Sequence, residues 1–345
     1  MTRTKIFSFS LFVLSWFSVS VEALAADSDK TNVILILIDD LGWKDLGCYG
    51  SQYYQTPNID QLAGEGMRFT DGYAACNVCS PTRAAILSGK YPARLLLTQW
   101  LPSGRWSPTE HKLREGRYVS NLPLEEFTIA EAMREAGYRT AFMGKWHLGT
   151  ETYYYPEHQG FDVNIAGRDY GAPGSYFYPF KGSWRIPTTG QTLHKDTPLA
   201  GKQGDYLVDR LAEEAENFIR ESKDQPFFLM LSHYAVHTPL QGKADKIARY
   251  EQVDKDKRQG KPAYAAMVES VDESVGRVMN TLRELELDGR TLVIFTSDNG
   301  GFAKATDNSP LRANKGSNYE GGILSLIHIS EPTRRTIPSR MPSSA

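Results

Sequence analysis

The sequence predicts a doubly wound α/β fold, with a mostly parallel sheet carrying helices on both faces. Three observations lead there. Four short apolar runs, 32–38, 139–143, 226–231 and 291–296, are rich in β-branched residues and too short for helices, so they read as buried parallel strands. Helical patterns lie between them, and alternation of strand and helix favours one parallel sheet. Each run also ends in polar, chemically capable residues, and ligands bind beyond the carboxyl ends of strands in open α/β sheets.

In chain order, residues 1–25 come first and read as a secretory signal. Arg3 and Lys5 open it, an apolar stretch follows over 6–21, and Ala23-Leu24-Ala25 offers the small residues of a cleavage site. A retained anchor is disfavoured, because the run is interrupted by serines and is shorter than the roughly 20 residues a spanning helix needs. Cleavage after Ala25 is expected, with export to the periplasm or beyond, and no later segment reads as a membrane span.

The first strand, 32–38, ends in Asp39-Asp40. Thr56-Pro57 opens a helix, since proline at the first helical position loses no hydrogen bond. Pro81 and the helix-forming run after it put Cys79 at or beside another helix start. Thr128 and Glu131 form a capping box before a short helix that ends at Gly137. The strand 139–143 leads into Gly144-Lys145-Trp146-His147. Residues 151–204, rich in Gly, Pro and Tyr, read as long surface loops, which on such folds often line substrate sites. Asp205 precedes a helix running to about 222. The strand 226–231 leads to His233 and His237. Residues 241–261 are strongly charged and read as a solvated helix or flap. The longest helix covers about 263–287, with Met267, Val271, Val275, Val278 and Leu282 on one face. The strand 291–296 leads to Ser297-Asp298-Asn299-Gly300. No internal repeat is present.

Composition narrows the function classes. The 345 residues are 41% hydrophobic and 23% charged with a net charge of -2, which is enough for a sizeable core and offers no basic surface for nucleic acid or anionic lipid. Three cysteines, Cys48, Cys76 and Cys79, make no disulfide framework, and an odd number leaves at least one thiol unpaired.

Asp39, Asp40, Asp298 and Asn299 form an oxygen-only ligand set that suits a hard cation, calcium first and magnesium second. Each pair alone reads better as a turn after a strand; the two strand ends taken together favour a metal. Arg83, Lys145, His147 and His237 add positive charge and proton-transfer capacity for an anionic, oxygen-rich group. His111, His158 and His194 fall in loops and receive no role. His233 belongs behind the site or in the core. Cys79, at the electropositive end of a helix, is a candidate nucleophile; a buried structural cysteine fits the spacing equally well.

Cys79-Ser80-Pro81-Thr82-Arg83, followed by a helix and Gly89-Lys90-Tyr91-Pro92, resembles the modification motif of the sulfatase family. The likeness extends through Asn32 to Gly42, Thr56-Pro57-Asn58-Ile59-Asp60, Gly66-Met67-Arg68-Phe69, Gly144 to Gly149, His237-Thr238-Pro239, Thr296 to Gly300 and Leu311-Arg312-Ala313-Asn314-Lys315-Gly316. It implies an alkaline-phosphatase-like α/β/α sandwich and a sulfuric ester hydrolase. Cys79 would be oxidised to formylglycine by a formylglycine-generating enzyme and then hydrated. One hydroxyl would attack sulfur and the other would collapse the sulfated hemiacetal. Asp39, Asp40, Asp298, Asn299 and modified Cys79 would hold the metal. Arg83 and Lys145 would hold the hydrate and the sulfate charge, His147 would handle the hydrate's proton, and His237 and Lys315 would touch sulfate and assist the leaving alcohol. A sulfated carbohydrate or aryl sulfate would be the substrate.

The likeness stops after Gly321-Gly322-Ile323. Family members continue with an apolar strand and a small antiparallel C-terminal domain, and residues 324–345 show neither strand alternation nor a helical face. This tail resembles translated adaptor read-through. The expected organisation is therefore a signal over 1–25, a truncated catalytic domain over 26–323 and a non-family tail that leaves a sheet edge unpaired. The rival functions are a phosphodiesterase or phosphonate hydrolase of the same superfamily and a non-catalytic binding protein of sulfatase shape.

Overall fold

A computed structural model describes residues 30–102, 112–114, 116–185, 190 and 192–330. The signal over 1–25, His111 and the tail beyond 330 lie outside the described residues. Seven strands form the main sheet: β1 (Asn32–Ile38), β2 (Met67–Tyr73), β3 (Arg139–Gly144), β4 (Val163–Ile165), β7 (Phe227–Ser232), β8 (Thr291–Ser297) and β9 (Leu324–Ser330), in the order β2-β9-β8-β1-β7-β3-β4. β5 (Lys181–Arg185) and β6 (Thr192–Asp196) make a separate antiparallel hairpin. The helices are α1 (Pro57–Glu65), α2 (Cys79–Ser88), α3 (Pro92–Leu95), α4 (Ile129–Glu135), α5 (Leu207–Glu221), α6 (Ala244–Glu251), α7 (Pro262–Glu284) and α8 (Glu320–Ile323).

The four expected strands are present and parallel at the centre, β8-β1-β7-β3, with ends within a residue of the sequence reading. Their continuous hydrophobicity follows from burial on both faces. Ile34, Ile36 and Ile38 of β1 enter a core shared with α1, α5, α6 and α7, while Leu35 and Leu37 enter a second core with α2, α3 and α4. Phe227, Leu229 and Leu231 of β7 alternate in the same way with Phe228 and Met230. Period-two alternation into two apolar layers is what a three-layer sandwich requires.

The helix signals hold in detail. Pro57 is the first residue of α1, and the face of α7 carrying Met267, Val271, Val275, Val278 and Leu282 is buried. Thr128 Oγ1 accepts from the Glu131 amide at 3.1 Å, and Glu131 Oε2 accepts from the Thr128 amide at 2.8 Å. The same hydroxyl donates to the Gln159 carbonyl at 2.8 Å. Thr128→Ala is expected to lower stability by about 1–2 kcal/mol in urea denaturation, with no change in the denaturant slope.

Three expectations need correction. Residues 324–330 are a strand: β9 pairs antiparallel with both β8 and β2. Backbone pairing with an open edge needs no side-chain alternation, so β8 is not left unpaired. Residues 151–204 are more than loops, since they supply β4 to the sheet and the β5–β6 hairpin, and Tyr176 and Phe180 pack in the core. Asp205 precedes α5 as read, with Tyr206 at the position before the helix, and it accepts from the Lys202 amide at 2.8 Å. The charged stretch 241–261 contains α6, but Lys246 is buried, pairing with Glu273 at 2.7 Å and Ser270 at 3.0 Å. No helix among the described residues is long and apolar enough to cross a membrane.

Candidate active site

The carboxyl ends of β1, β3, β7 and β8 lie side by side, so the residues just beyond them meet. Asp39 and Asp40 follow β1, Lys145 and His147 follow β3, His237 follows β7, and Asp298 and Asn299 follow β8. Two glycines make the approach possible. Gly144 has φ of 103°, and a Cβ there would lie 2.0 Å from the Ser232 carbonyl oxygen. A Cβ on Gly171 would lie 2.3 Å from the His147 ring. Asp40 and His147 hold left-handed φ values of 64° and 61°, a conformation that costs energy without glycine and clusters at functional sites.

Cys79 is the first residue of α2, and its Sγ lies 3.5 Å from Asp39 Oδ1 and 3.5 Å from Lys315 Nζ. Lys145 Nζ binds Asp39 Oδ2 at 2.5 Å, and both side chains are fully buried. Lys315 Nζ binds Asp40 Oδ1 at 2.5 Å. Arg83, one turn along α2 from Cys79, binds Asp298 Oδ2 through Nε at 2.9 Å and NH2 at 2.8 Å. Its NH1 donates to the Lys145 carbonyl at 2.7 Å and to Ser232 Oγ at 2.6 Å. His237 Nε2 lies 3.7 Å from Asp40 Oδ2. Asn299 Nδ2 donates to Asp40 Oδ1 at 2.8 Å. His147 is buried, with Nε2 against the Leu101 carbonyl and Nδ1 without a partner among the described residues.

Burial pushes the Asp39 carboxyl up to about 8 against the pull of Lys145, with Asp298 and Asp40 adding to the rise. Burial acts the same way on Asp40, but Lys315, His237 and Lys145 prevail and hold it well below the usual carboxylate range. The Cys79 thiol is pushed up to about 12 by burial, against Lys145 and Lys315. His147 is held far below its ordinary value by burial and Lys145, and His237 is lowered to about 3 by burial and Lys315.

These residues fit a divalent cation. Asp39, Asp40, Cys79 and His237 offer ligand atoms all within 4.8 Å of one another. The Asn299 Oδ1 is a buried acceptor without a donor among the described residues. A buried acceptor left bare is costly, and a cation would satisfy it. His237 is a potential ligand here, although sequence reasoning placed it only among the proton-transfer groups. Every residue singled out from sequence for the site reaches this cluster or packs against it, except that His147 makes no described contact with Cys79. His233 sits behind it, bonded to Ser274 at 3.0 Å. His158 and His194 lie elsewhere, in a short 3-10 helix and in β6.

Three supporting residues were not anticipated. Ser232 bridges Arg83 and the Lys145 carbonyl. Tyr264 donates to the Asp40 carbonyl at 3.2 Å and to Asp45 at 2.6 Å. Buried Asp45 accepts from the Gly42 amide at 3.0 Å and thereby fixes the loop after β1. Ser232 was legible as one more polar strand end; Asp45 and Tyr264 had no signal in spacing.

Comparison with known proteins agrees with this architecture. The sulfatase family model matches residues 31–325. N-acetylgalactosamine-6-sulfatase of Sus scrofa is 32% identical over 309 residues, covering 85% of this chain and 55% of that one. A sulfatase of Formosa agariphila is 33% identical over 380 residues, covering 91% and 66%. The chain thus spans between about half and two thirds of the length of these relatives. The crystal structure of Ps i-CgsB in complex with k-i-k-neocarrahexaose is 33% identical, with a TM-score of 0.71, covering 88% of this chain and 66% of that one. With a family model spanning most of its length and the parallel α/β architecture of such neighbours, this chain belongs to the sulfatase family.

Proposed function

We propose that the protein is an exported sulfatase that hydrolyses sulfate esters of a carbohydrate, using an aldehyde made from Cys79 and a divalent cation, calcium before magnesium. The observation that carries the reading is Cys79 at the start of α2, wedged between Asp39 and Lys315 with its thiol held neutral. A neutral buried thiol is a poor nucleophile, which supports conversion of the side chain to another group before attack. A formylglycine-generating enzyme is the partner this implies. N-acetylgalactosamine-6-sulfatase among the relatives, and the k-i-k-neocarrahexaose bound in Ps i-CgsB, support a sulfated sugar as substrate. The basic start and apolar run of residues 1–25 support export.

The cation would be held by Asp39, Asp40, Asp298 and Asn299 with the oxygen that replaces the Cys79 sulfur. When bound it would supply charge stabilisation for the sulfate oxygens. The aldehyde hydrate would supply one oxygen to attack sulfur and a second to release sulfate afterwards. The protein's own groups do the rest. Lys145 and Lys315 flank position 79 and neutralise charge that builds on the transferring group, where low dielectric strengthens each contact. Arg83 fixes Asp298 and the Lys145 backbone, which keeps the strand ends in register. His237 beside Asp40 would orient the departing alcohol oxygen, and the Lys315 ammonium, which has a proton to give, would assist its departure. His147, also neutral, has a free Nδ1 to accept a proton from the hydrate.

The rival is phosphoryl chemistry, since a phosphonate monoester hydrolase of Agrobacterium radiobacter shares the fold at 19% identity and a TM-score of 0.54. Matched rates on 4-nitrophenyl sulfate and 4-nitrophenyl phosphate, with protein matured beside a formylglycine-generating enzyme, decide between them. Faster turnover of the sulfate is expected. Equal or faster phosphate cleavage would replace this reading, and no turnover of either would favour a binding protein.

A further inference from the structure

The segment between Gly301 and Lys315 begins beside one site residue, Asn299, and ends at another. Its base is closed by a hydrogen bond from the Lys315 amide to the Gly301 carbonyl at 3.1 Å. Together with Gln259 and Lys261 it walls a cavity of about 470 Å³, which also takes in Asn314, the residue just before Lys315. This cavity is rigidly built. Thr306 bonds buried Asp45 at 2.8 Å, the Trp43 indole donates to the Asn308 carbonyl at 2.9 Å, and the Lys261 amide donates to the Ala305 carbonyl at 2.8 Å.

Its polar lining is unevenly satisfied. Lys261 and Lys304 have no carboxylate partner among the described residues, and both are exposed. Asp307, the acid on the rim, is already paired with Lys44 at 3.2 Å and bonded to the Ser309 amide at 2.9 Å. The cavity therefore presents uncompensated positive charge. Two exposed ammonium groups without carboxylate partners on the wall of one cavity suit a ligand that brings negative charge.

We propose that this cavity is a subsite for a second anionic substituent of the saccharide whose sulfate ester occupies the Cys79 site, with Lys261 and Lys304 meeting its charge. The proposal rests on the sulfated-carbohydrate reading and narrows it: the substrate is polyanionic, and the sugar next to the one being desulfated carries its own charge.

The test uses carrageenan hexasaccharides with one or two sulfates per disaccharide, beside 4-nitrophenyl sulfate. In the matured protein, the Lys261→Ala/Lys304→Ala double variant is expected to raise KM for the doubly sulfated hexasaccharide about tenfold with kcat unchanged, as two partly exposed charge contacts would. The rise should be smaller for the singly sulfated sugar, absent for 4-nitrophenyl sulfate, and should shrink as salt is added. An unchanged KM for the doubly sulfated sugar, or an equal loss on the aryl sulfate, overturns the subsite. Calorimetric titration of the same sugars into Cys79→Ala protein separates this from the parent reading. Lysine-dependent binding there, without desulfation by active protein, supports the subsite and counts against the sugar as substrate. Binding that ignores the two lysines overturns the subsite.

Discussion

Cys79→Ala is expected to abolish turnover, with a loss on the order of 10^5–10^6-fold in kcat, the scale seen when a nucleophile that works as part of a unit is removed. The fold should survive. The substitution deletes one sulfur from a buried position, and its charged neighbours keep their partners, Lys145 on Asp39 and Lys315 on Asp40. Aryl sulfate hydrolysis and a thermal melt on the same preparation check both halves. Intact mass of the unmutated, matured protein should show conversion of thiol to aldehyde at Cys79 alone. An active preparation in which Cys79 remains a thiol would sink the aldehyde mechanism.

Asp298→Ala is expected to have the second largest effect, because one carboxylate serves two purposes. As a proposed ligand its loss should remove bound metal and turnover together. As the partner of Arg83 its loss strands a buried guanidinium, which is 1% exposed. Breaking a buried pair from one side costs about 3–5 kcal/mol, a large share of the roughly 5–15 kcal/mol that holds a domain folded. Asp298→Asn keeps the volume and a hydrogen-bond acceptor for Arg83, so it should lose metal with a smaller drop in stability. Metal content by elemental analysis and denaturant unfolding read the two effects separately. Full metal occupancy and normal rate in Asp298→Ala would reject the ligand assignment.

What could be read in the sequence depended on how each element is stabilised. The central strands were legible because burial on both faces writes a continuous apolar run, and β1 is the clearest case. α4 was legible because its start is fixed by a local capping box. β2, β4 and β9 were not: β2 and β4 are the sheet's edge strands and β9 joins β2 to β8, so all three rely on backbone pairing with distant partners and need no distinctive side chains. The same division runs through the site. Residues that follow buried strands, Asp39, Lys145, His237 and Asp298, could be grouped because parallel strands end on one edge. Asp45 and Tyr264 act on the site only through contacts between remote segments, and spacing carries no trace of them.

The burial of α2 sets an order of events in time. Cys79, Ser80, Pro81, Thr82 and Arg83 are all enclosed once the sheet and its helices have closed over them. A macromolecule that recognises this stretch and alters the side chain at position 79 must therefore reach it while the chain is still open. If Cys79 is matured as proposed, maturation and folding compete for the same polypeptide, and a molecule that folds first would keep an inert thiol. The active fraction of any preparation should then rise when folding is slowed or the modifying enzyme is made more abundant during synthesis, and it should stay fixed when that enzyme is added to protein already folded.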